Sequence, residues 1–154
     1  MKQNHDFRDL LYEFNVGGVE YLIVGAHALA AHGVVRATKD LDVWIRPALD
    51  NAHRAYRALA AFGAPLHQLE QDDLASPDVV FQIGVAPVRI DILTSIDGVE
   101  FDDAWADRIE SHYGDQRVHV LSRAHLIRNK RASGRLQDLA DVEHLDNVPP
   151  EKDG

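Results

Sequence analysis

Two aspartates one residue apart, Asp40 and Asp42, lie in the run Arg36-Ala-Thr-Lys-Asp-Leu-Asp-Val-Trp-Ile45, shortly after a strand-like Tyr21-Leu-Ile-Val24 that ends in Gly25-Ala26. Side chains of a strand alternate between its faces, so carboxylate, apolar, carboxylate puts both acids on one side. Each acid raises the cost of ionising the other unless a divalent cation lies between them. A dry structural sheet has no use for such a pair, whereas a magnesium site that handles phosphates does.

The rest of the chain alternates between helical and strand-like patterns. Phe7, Leu10, Leu11 and Phe14 predict a helix over Asp6 to Val16 that Gly17-Gly18 stops. Glu20 to Val24 reads as a buried strand, Ala26 to His32 as an alanine-rich helix ended by Gly33, and Asp40 to Arg46 as the second strand. Asp50 to Phe62 predicts a helix with Ala52, Tyr56, Leu59 and Ala60 inward, while residues 64 to 78 show no period. Val79 to Ile83 and Val88 to Leu93 predict a hairpin around Gly84-Val-Ala-Pro87, and Asp97-Gly98 marks a turn. Phe101 to Ile109 is weakly helical and Arg117 to Leu121 is a short strand. Ser122 is an N-cap for a helix to Ala132 with Leu126 and Ile127 inward. A last helix, Leu136 to Leu145, has a stripe of Leu136, Leu139, Val142 and Leu145.

This is a mixed α/β (α+β) pattern, a small mixed sheet flanked by helices with a C-terminal helical segment, not the regular alternation of a doubly wound fold. The length, 154 residues, predicts a single domain over 1–146, with 147–154 a disordered tail. The absence of cysteine excludes disulfides, thiol nucleophiles and thiolate metal sites, which suits the cytoplasm. No apolar run approaches a membrane span, and the polar start lacks an export signal. A net charge of -9 argues against sequence-independent nucleic-acid binding. Locally, Ser122 to Arg135 has five basic residues and no acid. That stretch is either a solvated helix face or an anion-binding surface.

A third acid, Asp91, alternates with Ile90 and Ile92 in Val88-Arg-Ile-Asp-Ile-Leu93. It points to the side of Asp40 and Asp42 if the strands are neighbours, and is otherwise a surface or salt-bridged residue. Three convergent carboxylates can hold two divalent ions. Gly25-Ala26, at a strand end opening a helix, either lets backbone amides approach phosphate oxygens or is simply a tight turn of small residues. His27 and His32, five apart, do not form a metal pair on one helix face. No histidine has zinc spacing, and Trp44 reads as core or a pocket wall.

Val24-Gly-Ala-His-Ala-Leu-Ala-Ala-His-Gly33 followed by Arg36-Ala-Thr-Lys-Asp-Leu-Asp42 resembles the signature of the DNA polymerase beta-type nucleotidyltransferases. The nearer likeness is to small bacterial members of the abortive-infection and toxin-antitoxin type. Their C-terminal lysine and aspartate motif is similar to Lys130-Arg-Ala-Ser-Gly-Arg-Leu-Gln-Asp-Leu-Ala-Asp141. The resemblance covers residues 19 to 46, 86 to 94 and 122 to 145.

It implies that Asp40, Asp42 and Asp91 are catalytic and ligate two Mg2+ ions, or Mn2+, with Asp91 acting as or orienting the base for an acceptor hydroxyl. Gly25 and Ala26 would cradle phosphates through backbone amides. Lys130 would contact them too, with Arg36, Lys39 and Arg135 as further nucleotide contacts. His27, Asp138 and Asp141 are accessory candidates, and Asp141 has the alternative of bonding Arg135 or Lys130 structurally. The implied reaction moves a nucleoside monophosphate from an NTP, such as ATP, to a hydroxyl of tRNA or a protein. A cognate toxin or antitoxin is the implied partner, and a non-catalytic binding domain of the same fold is the alternative. Position 26 is alanine where many members carry a serine that helps hold the triphosphate. The backbone amide survives that change.

Overall fold

A computed structural model describes residues 4–35, 40–85 and 88–149. Arg36, Lys39, the tip of the predicted hairpin and residues 150–154 lie outside the described residues.

The first helix, α1 (His5–Val16), buries Phe7, Leu10, Leu11 and Phe14, the stripe that the spacing predicts. Asn4 Oδ1 caps it by accepting from the amides of Asp6 and Phe7 at 2.9 and 3.2 Å. Strand β1 (Tyr21–Val24) lies inside the sheet and is buried throughout. It runs into α2 (Gly25–Ala31), then β2 (Asp40–Ile45) and α3 (Leu49–Phe62), which Gly63 ends at a φ of 95°. The hairpin strands are β3 (Val80–Val85) and β4 (Val88–Leu93); α4 (Phe101–Ala106), β5 (Ile109–Tyr113), β6 (Gln116–Val120), α5 (Arg123–Ser133) and α6 (Leu136–Asp146) complete the chain.

The strands form one sheet in the order β3-β4-β2-β1-β6-β5. β1 is antiparallel to β2 and parallel to β6, β2 is parallel to β4, and the outer pairs β3–β4 and β5–β6 are antiparallel. The sheet is thus mixed, as predicted. Asn51, wholly buried at the start of α3, locks that helix to the sheet. Its Nδ2 donates to the carbonyls of Glu20 and Arg46 at 3.0 Å each, and its Oδ1 accepts from the Glu20 amide at 2.8 Å.

Four expectations are corrected. The weakly helical Phe101 to Ile109 stops at Ala106, and Ile109 instead opens β5, which pairs with β6 from Ile109↔Val120 to Tyr113↔Gln116. The partner strand, not local propensity, decides this segment. The patternless 64 to 78 contains a 3-10 turn, Gln71–Ala75, that buries Leu74. On α3, Ala60 is exposed while Ala55 and Ala58 are buried. On α6 the predicted stripe is rotated by about a residue: Leu136 is 88% exposed and Leu139 48%, while Asp138, Asp141, Val142 and Leu145 are buried. Those four also have i, i+3, i+4, i+7 spacing, so a helical face was present in the sequence but two of its members are acids. The buried Lys130 of α5 explains the choice, since an ammonium leaves water only when paired with carboxylates.

Candidate active site

Parallel pairing of β2 with β4 sets Asp40 opposite Arg89 and Asp42 opposite Asp91. All three predicted acids therefore share one face of adjacent strands. Arg89, which the sequence reading did not single out, lies among them. Its Nη2 donates to Asp40 Oδ2 at 3.2 Å and to Asp91 Oδ2 at 3.3 Å, and its Nε is 3.0 Å from Asp91 Oδ1. Asp91 is only 8% exposed. Burial, then the charges of Asp91 and Asp40, push the Asp42 carboxyl up to about 6, and Arg89 offsets this only in part. Sequence could have flagged Arg89 by parity, because it precedes Asp91 by two residues on a strand.

Gly25 adjoins this cluster across the β1–β2 pair, where Val24 is opposite Asp42. Its φ is +68°, and a Cβ there would run into Asp42 Oδ2. Only glycine combines that backbone with that approach. The N-cap position of α2 is Val24, which has no side-chain oxygen to cap the first amides of the helix. Ala26, the next residue, faces a different group: it lines a cleft of about 170 Å³ with Lys130, Arg135, Asp138 and Asp141. The Gly25-Ala26 turn thus stands between two clusters, carboxylates on the sheet and a charge network on α5 and α6.

In that network Lys130 Nζ is 3.4 Å from Asp138 Oδ1 and 3.2 Å from Asp141 Oδ2. Arg135 Nε donates to Asp138 Oδ2 at 2.7 Å, and Gln137 Nε2 donates to Asp141 Oδ1 at 3.0 Å. Burial opposes ionisation of Asp138, but the Arg135 hydrogen bonds and the Lys130 and Arg135 charges outweigh it and hold the group below its ordinary value. The basic stretch therefore divides. Lys130 is buried and ion-paired, and Arg123 donates to the Leu145 carbonyl, while Arg128, Arg131 and Arg135 face solvent.

His27 is placed elsewhere. It meets Phe7 and Tyr113 edge-on at 5.5 and 5.9 Å, in a cavity of about 370 Å³ that also includes Ile23 and Val118. Ile23 points away from the face shared by Val24 and Asp42, so this cavity opens on the other side of the sheet. Burial holds His27 below the ordinary histidine value, which favours its neutral form. Trp44 is core, 2% exposed and edge-on to Phe101.

No protein-family model matches the chain, and no curated protein matches it by sequence. Solved structures do. A Thermotoga maritima protein described as a nucleotidyltransferase superposes with a TM-score of 0.59 at 15% identity, over 91% of this chain and 88% of its own. The lincosamide antibiotic adenylyltransferase LnuA, bound to lincomycin, gives 0.60 at 15% identity over 96% and 98%. An antigenic nucleotidyltransferase-like protein from Paracoccidioides brasiliensis gives 0.53 at 16% identity over 94% and 75%. The chain has the nucleotidyltransferase fold.

Among the described residues no three acidic or histidine side chains stand grouped, as placed, to hold a metal ion. The donor set nonetheless fits a hard divalent cation. All its candidate donor atoms are carboxylate oxygens, burial and then the neighbouring acids lift Asp42, and the missing Cβ of Gly25 leaves the Asp42 oxygen approachable. Arg89 is what stands among them. No helix among the described residues is long and apolar enough to cross a membrane.

Proposed function

We propose that this chain is a divalent-metal-dependent nucleotidyltransferase that moves a nucleoside monophosphate from an NTP to an acceptor hydroxyl and releases pyrophosphate. The observation that carries this reading is the register of Asp40 and Asp42 against Asp91, beside the sharp Gly25 turn. Asp40, Asp42 and Asp91 would hold the Mg2+ or Mn2+ ions. When bound, those ions supply charge neutralisation on the triphosphate and a lowered barrier to attack. The acceptor oxygen attacks the α-phosphorus, the bond to the bridging oxygen breaks, and the proton of the hydroxyl passes to Asp91. The amides of Gly25 and Ala26 bind phosphate oxygens. Arg135, exposed beside Ala26 although it also bonds Asp138, is the more accessible cation there, because Lys130 is buried between Asp138 and Asp141. In this reading Lys130 and its two aspartates hold α5 and α6 against the turn.

The exposed Arg128, Arg131 and Arg135 favour an anionic acceptor, such as tRNA or an acidic protein, in a toxin-antitoxin or phage-defence setting. The likeness to LnuA, a lincosamide antibiotic adenylyltransferase of which 98% is covered, favours a small-molecule acceptor instead. A non-catalytic nucleotide- or partner-binding role is favoured by Ala26 and by Arg89 seated among the acids. Labelled NTPs with Mg2+ and three acceptor pools (tRNA, cell protein, small polar extract) separate these readings. The proposal expects label in one pool, pyrophosphate release, and loss of both in Asp42→Asn. Transfer by that variant at the wild-type rate would refute the site assignment. Nucleotide binding without pyrophosphate release from any pool would leave the non-catalytic role.

A further inference from the structure

Arg89 occupies oxygens of Asp40 and Asp91 that a cation would also use. Its guanidinium spans Asp40 Oδ2 at 3.2 Å and both oxygens of Asp91 at 3.0 and 3.3 Å, from a position directly opposite Asp40. A guanidinium and a divalent cation compete there, because both are positive and both draw on those lone pairs. Two details make the arginine displaceable. Its side chain is 34% exposed, so it has solvent to withdraw into. The approach of its Nε to Asp91 Oδ1 lacks hydrogen-bond alignment although both atoms are buried, so charge rather than directed bonding holds that side of the pair. The backbone of Arg89 is fixed by β3 on one edge and β2 on the other, which confines the movement to the side chain.

We propose that Arg89 is a built-in counter-ion of the acid cluster: it holds Asp40 and Asp91 while no divalent cation is bound, must leave them for one to enter, and thereby sets the cation affinity. This rests on the reading that the acids hold a metal. A merely structural salt bridge would not oppose the cation, and an arginine that orients the acids for it would aid binding.

The test is Mn2+ titration of the full chain without nucleotide, by calorimetry and by electron paramagnetic resonance. Removing the competing charge in Arg89→Gln should tighten binding about tenfold or more. Arg89→Met, a second uncharged variant that keeps the aliphatic stem, should do the same. Arg89→Lys, which keeps the charge, should stay within about threefold of wild type. Asp42→Asn should lose binding. Melting supplies an independent readout: without metal Arg89→Gln should melt below wild type, and Mn2+ should close that gap. Unchanged or weaker binding in both uncharged variants, with Asp42→Asn still defective, overturns the role of Arg89 and leaves the metal reading intact. Absence of Mn2+ binding in wild type and every Arg89 variant overturns both.

Discussion

Asp42 is held in the fold at an electrostatic cost, and removing its charge should reveal the size of that cost. Its carboxyl is raised from 3.8 to about 6 by burial and by Asp91 and Asp40. A carboxyl whose value is higher folded than unfolded binds its proton more tightly in the native state. The stability it confers is complete below 3.8 and is lost as pH rises through about 6. The difference of about two pKa units corresponds to about 3 kcal/mol, fully lost by pH 8. For a chain of this size that is roughly 6–12 °C in melting temperature. Asp42→Asn, which cannot ionise, should therefore melt higher than wild type at pH 8 in EDTA and nearly match it at pH 4. Added Mg2+ or Mn2+ should raise wild type at pH 8 and leave the variant unmoved. The assay is a set of circular-dichroism melts from pH 4 to 8, with and without metal. If the wild-type and Asp42→Asn curves stay parallel across that range, the acids do not strain one another and the electrostatic argument fails.

Three further perturbations test the surroundings. Gly25→Ala should cost about 1–2 kcal/mol for its left-handed backbone and also weaken Mn2+ binding, because the new Cβ displaces the Asp42 carboxylate; calorimetry on the soluble variant separates the two effects. Lys130→Met should lower urea-unfolding stability by about 3 kcal/mol, since it leaves buried Asp138 and Asp141 without their shared cation. A loss below about 1 kcal/mol would mean that the network does not hold α5 against α6. Asn51→Leu should cost about 3 kcal/mol in the same assay, because the Glu20 amide and the Arg46 carbonyl lose their partner and the Glu20 carbonyl keeps only the Arg46 amide.

Much of the architecture was legible because local patterns were strong. The α1 stripe, the β1-to-α2 turn, the hairpin strands and the Ser122 cap all fall where periodicity and capping chemistry put them. Two of the misread segments share one cause: each took its form from the element packed against it. β5 exists because β6 offers an edge, and the inward face of α6 is chosen by Lys130 on the preceding helix. An apolar stripe is a guide to burial only where the opposing surface is apolar too.

The same division runs through the acid site. The sequence by itself determined that Asp40 and Asp42 share a face, since strand alternation leaves no choice, and that Asp91 has the matching parity on its own strand. Only the tertiary structure decided that β4 lies beside β2 in the register that joins the acids, and that Arg89 enters their midst. Parity is a property of one strand, whereas register is set by how two strands bury their other faces together.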